Sequence, residues 1–355
     1  MNYIGSKKRL IEFIDKQIAT VVSEPVTTFC DLFAGTGVVG SFFKKKGFEL
    51  ISNDLQYYSY ILNKSLLCIN TEPEFKILIK KLSIPLEKES PAHRVCRYLN
   101  NLPGIEGFIY LNYSYGGTEG KSHRRRYFSD ENAKKCDTLR ETIESWYQTK
   151  IINEDEYYYL LACLIHAVDK QANTASLYGA YLKELKKTAS KPLLLKPIEI
   201  VNSSRNHKVF NLDSNELVKI ISADIFYLDP PYNHRQYSTN YHLLETIAKN
   251  DKPSIKGKTG LRKQVTNRSK YCLKKEVKET FTQLIQNIKG KYIFLSYNNE
   301  GLLSLDEIKE ILKTRGTYGV FKKKYHRFKA DNDSTRRYKA KKTEEYLHYV
   351  RIEND

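Results

Sequence analysis

The six cysteines of this 355-residue chain, Cys30, Cys68, Cys96, Cys136, Cys163 and Cys272, contain no C-x-x-C pair and lie far from any histidine at zinc-ligand spacing. They read as reduced thiols filling a core, and no metal is assigned. No apolar run approaches the ~20 residues of a membrane span. The opening MNYIGSKKRL also lacks the apolar stretch of a secretory signal. A soluble, cytoplasmic protein with no membrane partner is therefore expected. Acid is scarce too: the formal net charge is +18, no Asp or Glu lies between Lys252 and Lys275, and residues 322–342 are nearly as one-sided. Such a surface concentrates polyanions, nucleic acid first, although solvated lysines or codon bias give the same composition. There is no internal repeat and no low-complexity linker.

What is present reads as an α/β chain. RLIEFIDKQIATVV (9–22) has helical apolar spacing, TTFCDLFAG (27–35) is a short strand entering a glycine turn, and a helix from about Thr36 ends at Gly47. FELISNDL (48–55) follows as a second strand ending at an acid, which completes a βαβ unit. From about 60 to 200 the alternation is lost and the pattern is mainly helical. Asn153 and Glu156 form a capping-box signature there. Within this stretch, NYSYGGTEGKSHRRRYF (112–128) carries five basic side chains and one acid and cannot be a packed helix. Strands return at HKVFNLDSNEL, ADIFYLDPPYN, KYIFLSYN and EYLHYVRI. The sheet is thus built from both ends of the chain: residues 1–59 and 201–355 form one domain and 60–200 an insertion.

Two stretches carry chemistry. Gly35, Gly37 and Gly40 have the G-x-G-x-x-G spacing of a dinucleotide turn, with Asp54 at the distance of a ribose-binding acid. The same turn suits a nucleoside cofactor without a pyrophosphate. A hydride-transferring enzyme would need a catalytic His or Lys, and only His234 offers itself. The second stretch is IFYLDPPYN (225–233), where Asp229 stands at the carboxyl end of a strand, the place where open α/β sheets bind ligands. Pro230 and Pro231 fix φ and remove two donors, leaving a rigid corner of acceptors that ends in the ring of Tyr232. A loop that merely breaks a strand has the same composition. As chemistry, the corner suits methylation of an exocyclic amine on a flat base. Acceptors from Asp229 and the Pro230 carbonyl localise the nitrogen lone pair, and Tyr232 stacks on the base.

With these motifs in place the chain resembles the S-adenosylmethionine-dependent DNA adenine-N6 methyltransferases of the Dam-like, alpha-class type found in type II restriction-modification systems. NYIGSKKRLI (2–11) resembles the family's N-terminal motif, with Ser6 where a second glycine is common. DLFAGTG resembles its cofactor loop, SNDL its ribose motif and DPPY its catalytic tetrad. The resemblance implies a Rossmann-like class I methyltransferase sheet, mostly parallel with an antiparallel C-terminal strand, and an inserted, mainly helical target-recognition region. It implies cofactor contacts from Tyr3, Lys7, Asp31, Phe33, Ala34, Gly35, Thr36, Gly37, Asp54, Leu55, Asp213 and Asp229, and catalysis by Asp229, Pro230, Pro231 and Tyr232. Double-stranded DNA is the expected partner, gripped or read by Lys121, His123, Arg124, Arg125, Arg126, Lys258, Arg262 and Lys263. A cognate restriction endonuclease is a further partner if the enzyme is the modification half of such a system, and a monomer or weak dimer is expected. Cytosine-N4 methylation, RNA adenine methylation and a DNA-binding subunit without catalysis stay open as alternatives.

Overall fold

Strands form where short apolar runs are closed by turn residues. In chain order they are β1 (Thr28–Asp31), β2 (Glu49–Asn53), β3 (Lys208–Phe210), β4 (Ile225–Leu228), β5 (Ile255–Lys256), β6 (Leu261–Arg262), β7 (Tyr292–Asn298), β8 (Gly316–His326) and β9 (Lys342–Ile352). The computed structural model describes residues 3–85, 88–265, 268–326 and 342–353, so most of the basic run expected over 322–342 lies outside the described residues. The chain divides into two units. One comprises Tyr3–Asn63, Ser203–Tyr237 and Asn267–Asp355, the other Lys64–Asn202 and Ser238–Thr266.

The first unit holds a seven-stranded sheet in the order β3-β2-β1-β4-β7-β9-β8. The pairs from β3 to β7 are parallel, and β9 runs antiparallel to both β7 and β8. Every residue of β4 and β7 is buried, as expected of strands covered on both faces. Cys30, Leu32, Phe226, Leu228, Ile293 and Leu295 join one core cluster with Phe281 and Leu284 of the helix Val277–Asn287. Asp224, just before β4, pins the start of β1 by accepting the amides of Thr27 (2.8 Å) and Thr28 (3.0 Å). Those bonds outweigh burial and hold its carboxyl well below the usual range. With its first residues fixed, β1 runs in register with β4, Asp31 beside Tyr227. The chain proceeds outward from β1 to β2 and β3 on one side and resumes at β4 and β7 on the other. The carboxyl ends of β1 and β4 therefore flank the point where strand order reverses.

The antiparallel C-terminal strand expected is β9, and β8 pairs with it to extend the sheet. β8 (GTYGVFKKKYH) pairs along its length with β9, and its exposed Lys322, Lys323 and Lys324 begin the basic run whose sequence suggests a grip on a nucleic-acid backbone or a solvated face rather than a strand. Lysines on the outermost strand of a sheet discourage edge-to-edge association, and β8 is such a strand.

The second unit is mainly helical. Its longest helices are Asp130–Gln148 and Glu154–Gln171, and the latter opens on the expected capping box: Glu156 N donates to Asn153 Oδ1 and Asn153 N to Glu156 Oε2, each at 2.9 Å. Residues 238–266, grouped with the sheet domain on sequence, pack here instead. Arg140 Nε donates to the Ile247 carbonyl (2.9 Å) and the Tyr113 hydroxyl to that of Gly260 (2.8 Å). Among the described residues no helix is long and apolar enough to cross a membrane.

Candidate active site

The crevice at the ends of β1 and β4 opens into a cavity of about 880 Å³, counting its mouth, lined by residues of the sheet unit alone. Its floor is the glycine turn. Gly35 (φ +51°) and Gly37 (φ +75°) adopt left-handed backbone, and a Cβ on Gly35 would stand 3.0 Å from the Tyr3 ring. The Gly35 amide donates to Asp54 Oδ2 (2.8 Å), while Asp54 Oδ1 accepts from Gln56 N (2.8 Å). Leu55 and Thr36 line the cavity beside them, together with Phe33 and Ala34. Asp213 reaches the same cavity from the cap of the short helix Ser214–Leu217, where its Oδ1 accepts from Asn215 N (2.8 Å).

Asp31 is the most unusual group on this floor. It is 1% exposed, and neither carboxyl oxygen makes a well-formed hydrogen bond to the described residues, the Phe33 amide nearby only moderating its environment. Burial, then the nearby charge of Asp229, push its carboxyl well above the usual range. A buried, unpartnered acid facing a cavity calls for a donor or cation from outside.

Asp229 follows β4 directly and keeps 16% of its side chain exposed. Its Oδ1 lies 2.9 Å from Lys7 Nζ, on the short 3-10 turn Lys7–Arg9. Lys7 Nζ is also 2.9 Å from Glu345 Oε1 on β9. The burial of Lys7 opposes its charge, but Asp229 and then Glu345 outweigh that and hold the ammonium well above its ordinary range. Asp229 itself is lifted to about 6: burial raises it, Lys7 opposes, and Glu345 raises it further. The Asp229 Oδ2 and the Pro230 carbonyl accept no hydrogen bond from the described residues; Asp229 lines the cavity, while Pro230 is buried just behind it in the chain. Pro231 lines the cavity. The Tyr232 ring packs edge-on against Tyr297 (5.6 Å between centroids) and lies 5.9 Å from Lys7 Nζ. Burial pushes its phenol up to about 12, which keeps it neutral.

The family described as D12 class N6 adenine-specific DNA methyltransferase matches the chain over residues 3–311. The chain belongs to this family. It is similar to the type II methyltransferase M.NlaIII of Neisseria lactamica, 48% identical over 99% of both chains. It is also similar to M.CviAII of Paramecium bursaria Chlorella virus 1, 35% identical over 99% of both. To the type II methyltransferase M.FokI of Planomicrobium okeanokoites it is 43% identical, covering 99% of this chain and 52% of that protein. As a D12-class enzyme the chain is an adenine-N6 DNA methyltransferase, which sets aside the cytosine-N4, RNA and non-catalytic readings. S-adenosylmethionine is the general methyl donor of such enzymes, and DNA is the substrate.

The basic residues expected to meet DNA lie in the helical unit of this methyltransferase, and the structure sorts them. Lys121, His123, Arg124, Lys258 and Lys263 are exposed. Arg124 and Arg126 share one aromatic platform, with guanidinium carbons 3.5 and 4.1 Å from the Tyr115 ring centroid. Arg125 departs from the expectation. It is buried, and its guanidinium donates to the carbonyls of Lys258 (3.1 Å), Asn112 (3.2 Å) and Gly257 (2.9 Å), so it holds two loops together and has no face for a base. Arg262 is likewise engaged, its Nη1 2.8 Å from Asp251 Oδ1.

Several residues of the site escaped the sequence reading. Tyr271 faces Phe33 edge-on across the cavity (5.2 Å), and Gln236 holds its segment through both backbone polar groups of Ser269. Tyr237 packs on Tyr3 (5.6 Å) and donates to the Ile4 carbonyl. None sits in a recognisable motif. Glu345 had a faint signal: it is the fourth residue of β9, where period-2 alternation places it on the face of buried Leu347.

Proposed function

We propose that the sheet unit is the catalytic domain, the helical unit the target-recognition domain, and the cavity described above the seat of S-adenosylmethionine. The residues fit that group. The unpartnered Asp31 carboxylate suits the ammonium of the methionine moiety, with Tyr3 and the turn from Phe33 through Gly37 around it. Asp54 and Leu55 suit the ribose, and Asp213 the cofactor adenine. Bound there, S-adenosylmethionine supplies a methyl group on a positively charged sulfur, a leaving group that requires no strong base.

The chain's own residues do the rest. A target adenine must leave the duplex to reach the corner at Asp229, and Tyr232 offsets part of the lost stacking. Asp229 Oδ2 and the Pro230 carbonyl accept the two amino hydrogens, which localises the nitrogen lone pair and aims it. Pro231 keeps the corner rigid. Once the methyl has arrived the amine is acidic, and Asp229 takes the proton. Lys121, His123, Arg124, Arg126, Lys258 and Lys263 supply the DNA contacts, the lysines chiefly to phosphates.

The names of its relatives support a further reading: the enzyme is the modification half of a type II restriction-modification system. We infer with it a cytoplasmic monomer or weak dimer that acts beside a cognate endonuclease.

The observation that carries the catalytic reading is that Asp229, with its Oδ2 unclaimed, and the buried Asp31 line one cavity. Its test is incubation of the purified protein and S-adenosylmethionine with genomic DNA from a methylation-deficient host, followed by single-molecule sequencing. N6-methyladenine at one recurrent motif is expected. Asp229→Ala should leave no mark while still binding cofactor and DNA; full activity in that variant refutes the proposed roles.

A further inference from the structure

Glu345 lies beyond residue 311, where the family match ends, yet β9 returns it to the catalytic corner. Glu345 is 5% exposed, and its Oε1 lies 2.9 Å from Lys7 Nζ, an ion-pair contact without hydrogen-bond alignment, so that it shares that ammonium with Asp229. Resting on the reading of Asp229 above, we propose that Glu345 is a positioning residue of the methyl-transfer site: it serves Lys7 as a second counter-ion, so that Asp229 can pass from carboxylate to carboxylic acid without leaving a buried ammonium unpaired.

The argument is one of charge. With Lys7 and Asp229 alone, the pair is neutral at rest, and protonating Asp229 strands Lys7 as an isolated buried cation, an expensive state. With Glu345 present, the trio carries one net negative charge at rest and becomes neutral when Asp229 is protonated. The proton comes from the methylated adenine amine: its N–H bond breaks, the electron pair stays on nitrogen, and the O–H bond forms on Asp229. Each stage then holds at least one intact ion pair on Lys7. The resting negative charge also suits a cavity expected to receive a cationic donor, and its removal suits a neutral product.

The register explains why Glu345 can do this. It stands opposite Asn298 of β7 and Lys323 of β8, and Lys323 lies over the Phe13 ring (5.2 Å). The charged and titratable groups around Asp229 are Lys7 from the N-terminal turn, Glu345 from β9, Asp31 from β1, Tyr227 on β4 and Tyr232 beyond it. Of these, Glu345 is the second carboxylate, besides Asp229 itself, in contact with Lys7.

The test is the single-turnover methylation rate against pH for the full chain and for Glu345→Gln, which keeps shape and removes charge. The acidic limb of the profile, where Asp229 becomes protonated, is expected to move down by at least half a pH unit, about a threefold change in apparent ionisation constant, with a lower plateau. The carboxyl-carbon NMR titration of Asp229 in the protein without cofactor should move in the same direction. Glu345→Asp keeps the charge and should retain the wild-type limb, which loss of packing alone would not produce. Superimposable limbs and titrations for wild type and Glu345→Gln overturn the proposal. If Glu345→Gln does not fold, the Glu345→Asp profile decides: a limb shifted as far as a lost charge would shift it also overturns it. Asp229→Ala is assayed alongside, because methylation by that variant would overturn the underlying assignment of Asp229 instead.

Discussion

Replacing Lys7 by methionine isolates the energetics of the catalytic corner. Lys7 is 4% exposed, and methionine fills nearly the same volume, so packing changes little while Asp229 and Glu345 lose their shared cation. Removing one partner of a buried ion pair typically costs about 3–5 kcal/mol, because the remaining charge keeps its desolvation penalty. For a domain of 150–250 residues, each kcal/mol lowers the melting temperature by roughly 2–4 °C, so a loss of about 10 °C is expected at neutral pH. The sign of the pH dependence follows from Asp229. Its folded value of about 6 already lies above the ordinary carboxylate range, and losing Lys7 raises it further. A group raised on folding contributes stability at low pH that is lost as pH rises through its folded value. The penalty of Lys7→Met should therefore be largest above pH 7 and shrink toward pH 4 to 5, where protonation removes the uncompensated charge. Lys7 itself stays charged across that window in the wild type. Thermal melts of both proteins from pH 4.5 to 8 measure this directly. A variant that melts within about 2 °C of wild type at pH 8, or whose deficit is the same at both ends, would refute the reasoning.

Asp54→Ala removes the acceptor of the Gly35 amide as well as the proposed ribose contact. The dissociation constant of S-adenosylmethionine, measured by calorimetry, should rise at least tenfold, about 1.4 kcal/mol, and an unchanged value would place the ribose elsewhere. The arginines should separate by assay. Arg125→Ala strips donors from three carbonyls and should cost roughly 2–4 kcal/mol of stability. Arg124→Ala should leave the melt unchanged while altering sequence preference or reducing the salt dependence of DNA binding. A destabilised Arg124→Ala or an unaffected melt in Arg125→Ala reverses the assignment.

Much of the sheet unit was legible because its signals are local. A strand of four or five apolar residues, a glycine turn and an acid at the strand's carboxyl end all fall within about ten residues, the range over which backbone preference and side-chain period act. That is why β1 with its glycine turn, β2 with Asp54 and β4 with Asp229 could be placed before any contact was known. The capping box at Asn153 is of the same kind.

What only the tertiary structure decided is what distant residues share. Arg124, Arg125 and Arg126 are chemically identical neighbours, yet one is buried on carbonyls and two stack on Tyr115, because burial is set by which loops pack there rather than by residue type. The stretch 238–266 joined the helical unit through carbonyls that meet Arg140 and Tyr113, partners far away in the chain. β8 became visible as a strand through its pairing with β9, since lysines on an edge strand look like solvated surface in sequence. The ion trio of Lys7, Asp229 and Glu345 joins residues from the two ends of the chain through its strand order. The sequence by itself determined that an acid would stand at the end of β4. Strand order and register determined which charges surround that acid, and electrostatic energy depends on those distances and on burial, neither of which a local pattern contains.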